Sequence, residues 1–60
     1  MSITQQLMNA FSHIENKEYK KADSIAKRLE DVWERMSPFQ KSLHDKLYDR
    51  ISDAELRGEY

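Results

Sequence analysis

Glycine and proline occur once each in this chain, at Gly58 and Pro38. Tight β-hairpins need residues that reach positive φ or break a ladder, so a chain almost without them has little means of making strands and turns. Its apolar residues instead recur every three or four positions, the period of a helix buried along one face. The pattern predicts an all-α protein: a small up-down-up three-helix bundle, with helices over about 3–15, 18–36 and 38–57 in a single helical domain spanning 1–60.

The first helix carries Ile3, Leu7, Ala10, Phe11 and Ile14 on one stripe. Ser2 suits its N-cap, with Gln5 three residues on as the reciprocal partner. Asn16 and Lys17 mark its end, because Asn tolerates left-handed geometry. Along the second segment Tyr19, Ala22, Ile25, Ala26, Leu29, Val32, Trp33 and Met36 share a face roughly 140° wide. A face that wide serves two neighbours, which predicts a central position for this helix. Ser37-Pro38-Phe39-Gln40 is the sharpest local signal: Ser37 caps, Pro38 suits the first helical position and Gln40 completes a capping box. The third stripe is Phe39, Leu43, Leu47, Ile51 and Ala54, with Leu56 off it and Gly58 as the stop. Both connections are short, which makes neighbouring helices antiparallel.

Sixty residues bury only a small core. No cysteine is present, so neither a disulfide nor a thiolate zinc site supports it. Regular packing, a partner chain, or both must do so. The charged fraction is 35%, yet the net charge is only −1, which argues against general affinity for nucleic acid or acidic membranes. No apolar run approaches the roughly 20 residues that span a bilayer. Met1 to Ser12 has neither the basic start nor the apolar core of a signal peptide. The chain reads as a complete small cytoplasmic protein, and the lack of cysteine fits a reducing compartment.

The segment Asn16-Lys17-Glu18-Tyr19-Lys20-Lys21-Ala22 loosely resembles the turn of a tetratricopeptide repeat hairpin, in which an aromatic residue precedes a small one by three positions. Tyr19 and Ala22 match that spacing, and Ala10 matches the small residue of the preceding helix. Asn9 and His13 depart from it, standing where the family has apolar residues, and Glu34 stands where a closing proline is common. The resemblance covers about half the chain and implies a helical hairpin, with no binding residues carried over. One repeat also has no neighbours to stack on.

Catalytic chemistry finds little to work with. His13 and His44 lack a second histidine at the spacing of a zinc helix, and no metal site or cofactor is expected. His13 reads as solvated, and His44 and Tyr48 as flanking the core. The pairs Glu30/Glu34 and Asp45/Asp49 lie one turn apart but among Lys and Arg, as in a solvated mixed surface rather than a pocket that raises a carboxyl pKa. There is no Gly-rich phosphate loop and no nucleophile with a nearby base. No enzyme activity and no small-molecule substrate are expected.

Two surfaces remain. Lys17, Lys20, Lys21, Lys27, Arg28 and Arg35 fall within about 120° on the wheel of the second helix. Asp31 interrupts this basic face, and Asp23, Glu30 and Glu34 adjoin it. It reads first as a solvated face, next as a site for an acidic partner, and last as a nucleic-acid surface, because no aromatic residue is interleaved for base stacking. A helix-turn-helix reading of Ser37, Gln40, Lys41 and Ser42 is weighed down by Asp45 and Asp49, which would face phosphates. At the far end of the second helix Val32, Trp33, Met36 and Phe39 form an aromatic and sulfur-containing cluster, the composition of interface cores and equally of the end of a monomer core. The expected function is therefore that of a small non-catalytic protein-binding or regulatory protein, an adaptor or inhibitor of bacterial or phage type. It would act through a helical surface on a protein partner or on itself, with a homodimer favoured. The alternative is a nucleic-acid-binding helical protein using the basic face.

Overall fold

A computed structural model describes residues 2–60. Three helices and one short turn of 3-10 helix make up the fold: α1 over Ile3–Glu15, α2 over Tyr19–Glu30, the 3-10 turn over Trp33–Arg35, and α3 over Pro38–Leu56. No strand occurs among the described residues.

Ser2 starts α1 with an extended backbone, and its Oγ accepts from the Gln5 amide at 3.1 Å. The Gln5 side chain does not return the bond. Its Nε2 donates to Asn9 Oδ1 at 3.1 Å, so this cap is half a box. At Ser37 both halves form: the Gln40 amide donates to Ser37 Oγ at 3.1 Å, and the Ser37 amide donates to Gln40 Oε1 at 2.9 Å. Pro38 at the first turn has no amide to leave unpaired.

Each pair of helices packs directly, so the bundle is triangular in section and α2 is not a middle layer. The reason lies in the side chains. Ala10, Ala22, Ala26 and Ala54 are fully buried, and such small residues let three backbones approach one another. Leu7, Leu29 and Leu47, one from each helix, are the largest side chains wholly removed from water. Ile14, Tyr19, Ile25, Met36 and Ile51 complete the core around them.

Cross-helix bonds give the directions. His44, near the start of α3, bonds Ala26 and lies against Trp33, while Tyr19 at the start of α2 shares a cleft with Asp53 near the end of α3, so α3 is antiparallel to α2. Gln40 Nε2 donates to Thr4 Oγ1 at 2.9 Å, and Arg50 and Asp53 share a cleft with Ile14 and Glu15, so α1 and α3 run parallel in register. The topology is up-down-up.

Two elements differ from the periodic pattern. Helix α2 ends at Glu30 rather than near Met36, and Val32 to Met36 continue as a turn and then the 3-10 segment. Phe39, the first member of the α3 stripe, is 68% exposed. A row of residues at four-residue spacing drifts by roughly 40° per step around an α-helix. Across Phe39, Leu43, Leu47 and Ile51 that drift carries the first member off the core. His44, 3% exposed, takes an inward place instead.

Candidate protein-interaction surface

The predicted interface residues separate on folding. Met36 is 5% exposed and belongs to the core, while Val32 and Trp33 are half-buried against it. Only Phe39 faces solvent broadly. Trp33 lies edge-on to the His44 ring, with centroids 5.3 Å apart, and His44 lies edge-on to Tyr48 at 4.9 Å. Lys41 Nζ sits 5.4 Å from the Trp33 ring centre, within range of a cation–π contact. His44 Nε2 is 2.9 Å from the Ala26 carbonyl oxygen, and because a carbonyl only accepts, Nε2 carries a proton. Tyr48 Oη donates to Glu30 Oε1 at 2.6 Å. Burial, and then this bond, push the Tyr48 hydroxyl well above the usual phenol range. The aromatic cluster thus closes the monomer core and fastens α3 to the end of α2.

The basic set is also divided. Lys17 lies in the α1–α2 connection with φ 61, and Arg35 lies in the 3-10 turn beyond the end of α2. Only Lys20, Lys21, Lys27 and Arg28 project from α2 itself, and all four are exposed. Lys21 pairs with Glu18 at 3.1 Å, and Lys27 pairs with Asp23 at 3.1 Å. Glu18 also accepts from His13 Nδ1 at 3.0 Å, so His13 is half-buried and bonded rather than freely solvated. The bonds from His13 and then Lys21 hold the Glu18 carboxyl below its ordinary pKa. Lys17, Lys20 and Lys21 line an open cleft of about 350 Å³ beside Tyr19 and Tyr60, and Glu18 and Glu59 stand in the same cleft. Neighbouring charges of both signs leave no surface here of one sign.

The exposed large apolar side chains lie mostly elsewhere. Met8 is 60% exposed on α1, Phe39 68% on α3, and Leu56 86% at the α3 terminus. Met8 follows Thr4 by one turn, and Leu43 follows Phe39 by one turn. The Thr4–Gln40 bond sets these turns side by side along the α1–α3 seam, where Phe11 and Leu43 are half-buried. Met8 lies off the apolar stripe of α1, so helical periodicity does not point to it. A signal for it exists in composition: the first fourteen residues contain no Asp, Glu, Lys or Arg, in a chain that is 35% charged.

Among the described residues no three His, Asp or Glu side chains come together as a metal-binding group, and no helix is long and apolar enough to cross a membrane. Compared with known proteins, the chain matches no family model, no curated protein and no solved structure.

Proposed function

We propose that the chain is a small non-catalytic protein-binding protein of the regulator or adaptor type, acting through a helical surface as an oligomer or bound to a larger protein. The observation that carries this reading is Phe39. A phenylalanine in the first turn of a well-capped helix stands 68% exposed, and Met8, one turn along from the Thr4 that bonds Gln40, is 60% exposed. Aromatic residues and methionine are enriched in interface cores, which supports a protein rather than a charged polymer as the partner. A cytoplasmic setting and the regulatory role of small bacterial or phage proteins are part of the same reading.

The test is photo-crosslinking from positions 8 and 39 in cells of the native host, followed by identification of whatever is captured. Crosslinks to one protein, or to the chain itself, from both positions and not from Ser52 are the expected result. Equal labelling from all three positions argues against a specific surface. The nucleic-acid reading is tested alongside by a salt titration of duplex and single-strand binding. Tight, salt-sensitive binding lost on replacing Lys20 and Arg28 would favour it instead.

A further inference from the structure

We propose that Arg57–Tyr60 forms a lid over the start of α2, latched by the Tyr60 hydroxyl on Asp23, and that its opening uncovers Tyr19 and widens the cleft beside it. The lid is independent of the protein-binding reading, since neither Phe39 nor Met8 takes part in it.

The lid begins at a turn that holds itself together. Helix α3 ends at Leu56, and Gly58 at φ 75 redirects the chain. The Gly58 amide bonds the Glu55 carbonyl at 3.1 Å, and the Glu59 amide bonds the Ala54 carbonyl at 2.8 Å. Arg57 Nε donates to Glu59 Oε2 at 2.6 Å. All of these contacts fall between Ala54 and Glu59, so they shape the turn without tying it to another helix.

Tyr60 makes the tie. Its Oη donates to Asp23 Oδ2 at 2.8 Å, across 37 positions of sequence. Among the described residues this is the one side-chain hydrogen bond from residues 58–60 to α2. Asp23 is well placed to receive it. Its side chain is only 15% exposed, and Lys27 Nζ stands 3.1 Å from the same oxygen. A carboxylate largely withdrawn from water holds a hydroxyl donor more firmly than one in open solvent.

What the segment covers and how little else it rests on make it a lid. Glu59 and Tyr60 line the open cleft of about 350 Å³ opposite Tyr19, Lys20 and Lys21, and Tyr19 is itself buried. Leu56 is 86% exposed and Tyr60 41%, whereas Ile51 and Ala54, just before them on α3, are in the core. A segment that buries little apolar surface opens on its own while the core beside it stays folded. One latch on such a segment gives two states, a closed cleft edge and an open one.

Solvent-exchange NMR, read amide by amide, tests this on the wild type, Tyr60→Phe and Asp23→Asn. Tyr60→Phe keeps the ring and removes the donated proton, and Asp23→Asn keeps the shape and removes the charge. The Gly58 and Glu59 amides are expected to exchange on the order of 10-fold faster in Tyr60→Phe, and by less in Asp23→Asn, where an amide oxygen still accepts. The Leu29 and Leu47 amides should keep their wild-type rates in both. Flavin-sensitised photo-CIDNP, which reads tyrosine exposure ring by ring, should show a stronger Tyr19 signal in Tyr60→Phe than in the wild type. Unchanged exchange at Gly58 and Glu59 in Tyr60→Phe would leave no latch and overturns the proposal. So does a rise matched at Leu29 and Leu47, which would make the bond part of global stability. A Tyr19 ring equally protected in the wild type and Tyr60→Phe overturns it as well, because the segment would then cover nothing.

Discussion

Helices α1 and α3 stop in one way, and α2 stops in another. At the end of α1 the Lys17 backbone turns left-handed, the Glu18 amide bonds the His13 carbonyl at 2.7 Å, and the Lys17 amide bonds the Ile14 carbonyl at 2.9 Å. This is a Schellman motif, complete within six residues. The end of α3 repeats it: Gly58 has φ 75, Glu59 bonds Ala54 at 2.8 Å, and Gly58 bonds Glu55 at 3.1 Å. Helix α2 has no such residue. Asp31 stays right-handed, Val32 has φ −115, and the chain unwinds through a 3-10 turn to the extended Met36. What holds this end comes from α3: His44 on the Ala26 carbonyl, Tyr48 on the Glu30 carboxylate, and Trp33 against His44. Two helices are stopped by their own neighbours in sequence, and the third by side chains from elsewhere in the fold.

If packing rather than a local motif ends α2, a cavity in its last turn should cost more than any change at a cap. Leu29→Ala is expected to destabilise by about 2–5 kcal/mol, because Leu29 is 1% exposed at the centre of the core. In a domain this small that approaches the whole stability. Urea denaturation of the variant measures it. A loss under 1 kcal/mol would mean that the end of α2 is not tied to the core.

The start of α3 is a local device, and its effect should be smaller. Ser37→Ala removes the side chain that receives the Gln40 amide and should cost about 1 kcal/mol. Ser2→Ala should cost less, since Gln5 turns to Asn9 and closes no box. Paired thermal melts compare them, and an unchanged melting temperature in Ser37→Ala would count against its capping role.

The α1 stop can be improved where the α2 end cannot. Lys17 adopts φ 61, which costs a residue with a Cβ about 1 kcal/mol relative to glycine. Lys17→Gly should therefore raise the melting temperature by several degrees, offset in part by the extra freedom glycine has when unfolded. Asp31→Gly, at a right-handed position, should lower it. A melting temperature that falls in both would remove the contrast between the two connections.

The smallest expected effect is a pH dependence confined to the end of α2. The folded pKa of Tyr48 is raised above that of an unfolded tyrosine, about 10. A group with a raised folded pKa contributes stability that is complete below its unfolded pKa and is lost as pH rises through the folded one. Stability should therefore start to fall near pH 10, and Tyr48→Phe should fall less steeply over about pH 9 to 12. The difference between the two melting curves isolates Tyr48 from the other tyrosines and the lysines. Parallel curves would show that neither burial nor the bond to Glu30 raises the Tyr48 pKa in solution.

The number of helices, their class and most of their limits were legible in the sequence: Ser2, the Ser37–Gln40 box, the Asn16–Lys17 break and the Gly58 stop all act through hydrogen bonds that span no more than six residues. Such bonds depend on which residues are adjacent in the chain, and that order is the sequence itself. The left-handed residue fell on Lys17 rather than Asn16, a shift of one position within the same motif. The end of α2 was not legible. The apolar period runs on unbroken through Val32, Trp33 and Met36, and periodicity says which residues turn inward but not where the path must bend to meet α3. The same holds for His44 and Phe39. Which of two neighbouring wheel positions is buried depends on the rotation of α3 against α1 and α2, and only the packed leucines and alanines of all three helices decide that angle. Local hydrogen bonding is written residue by residue along the chain. Burial is a property of surfaces that meet only after folding, and that is why the buried histidine and the exposed phenylalanine belong to the tertiary structure alone.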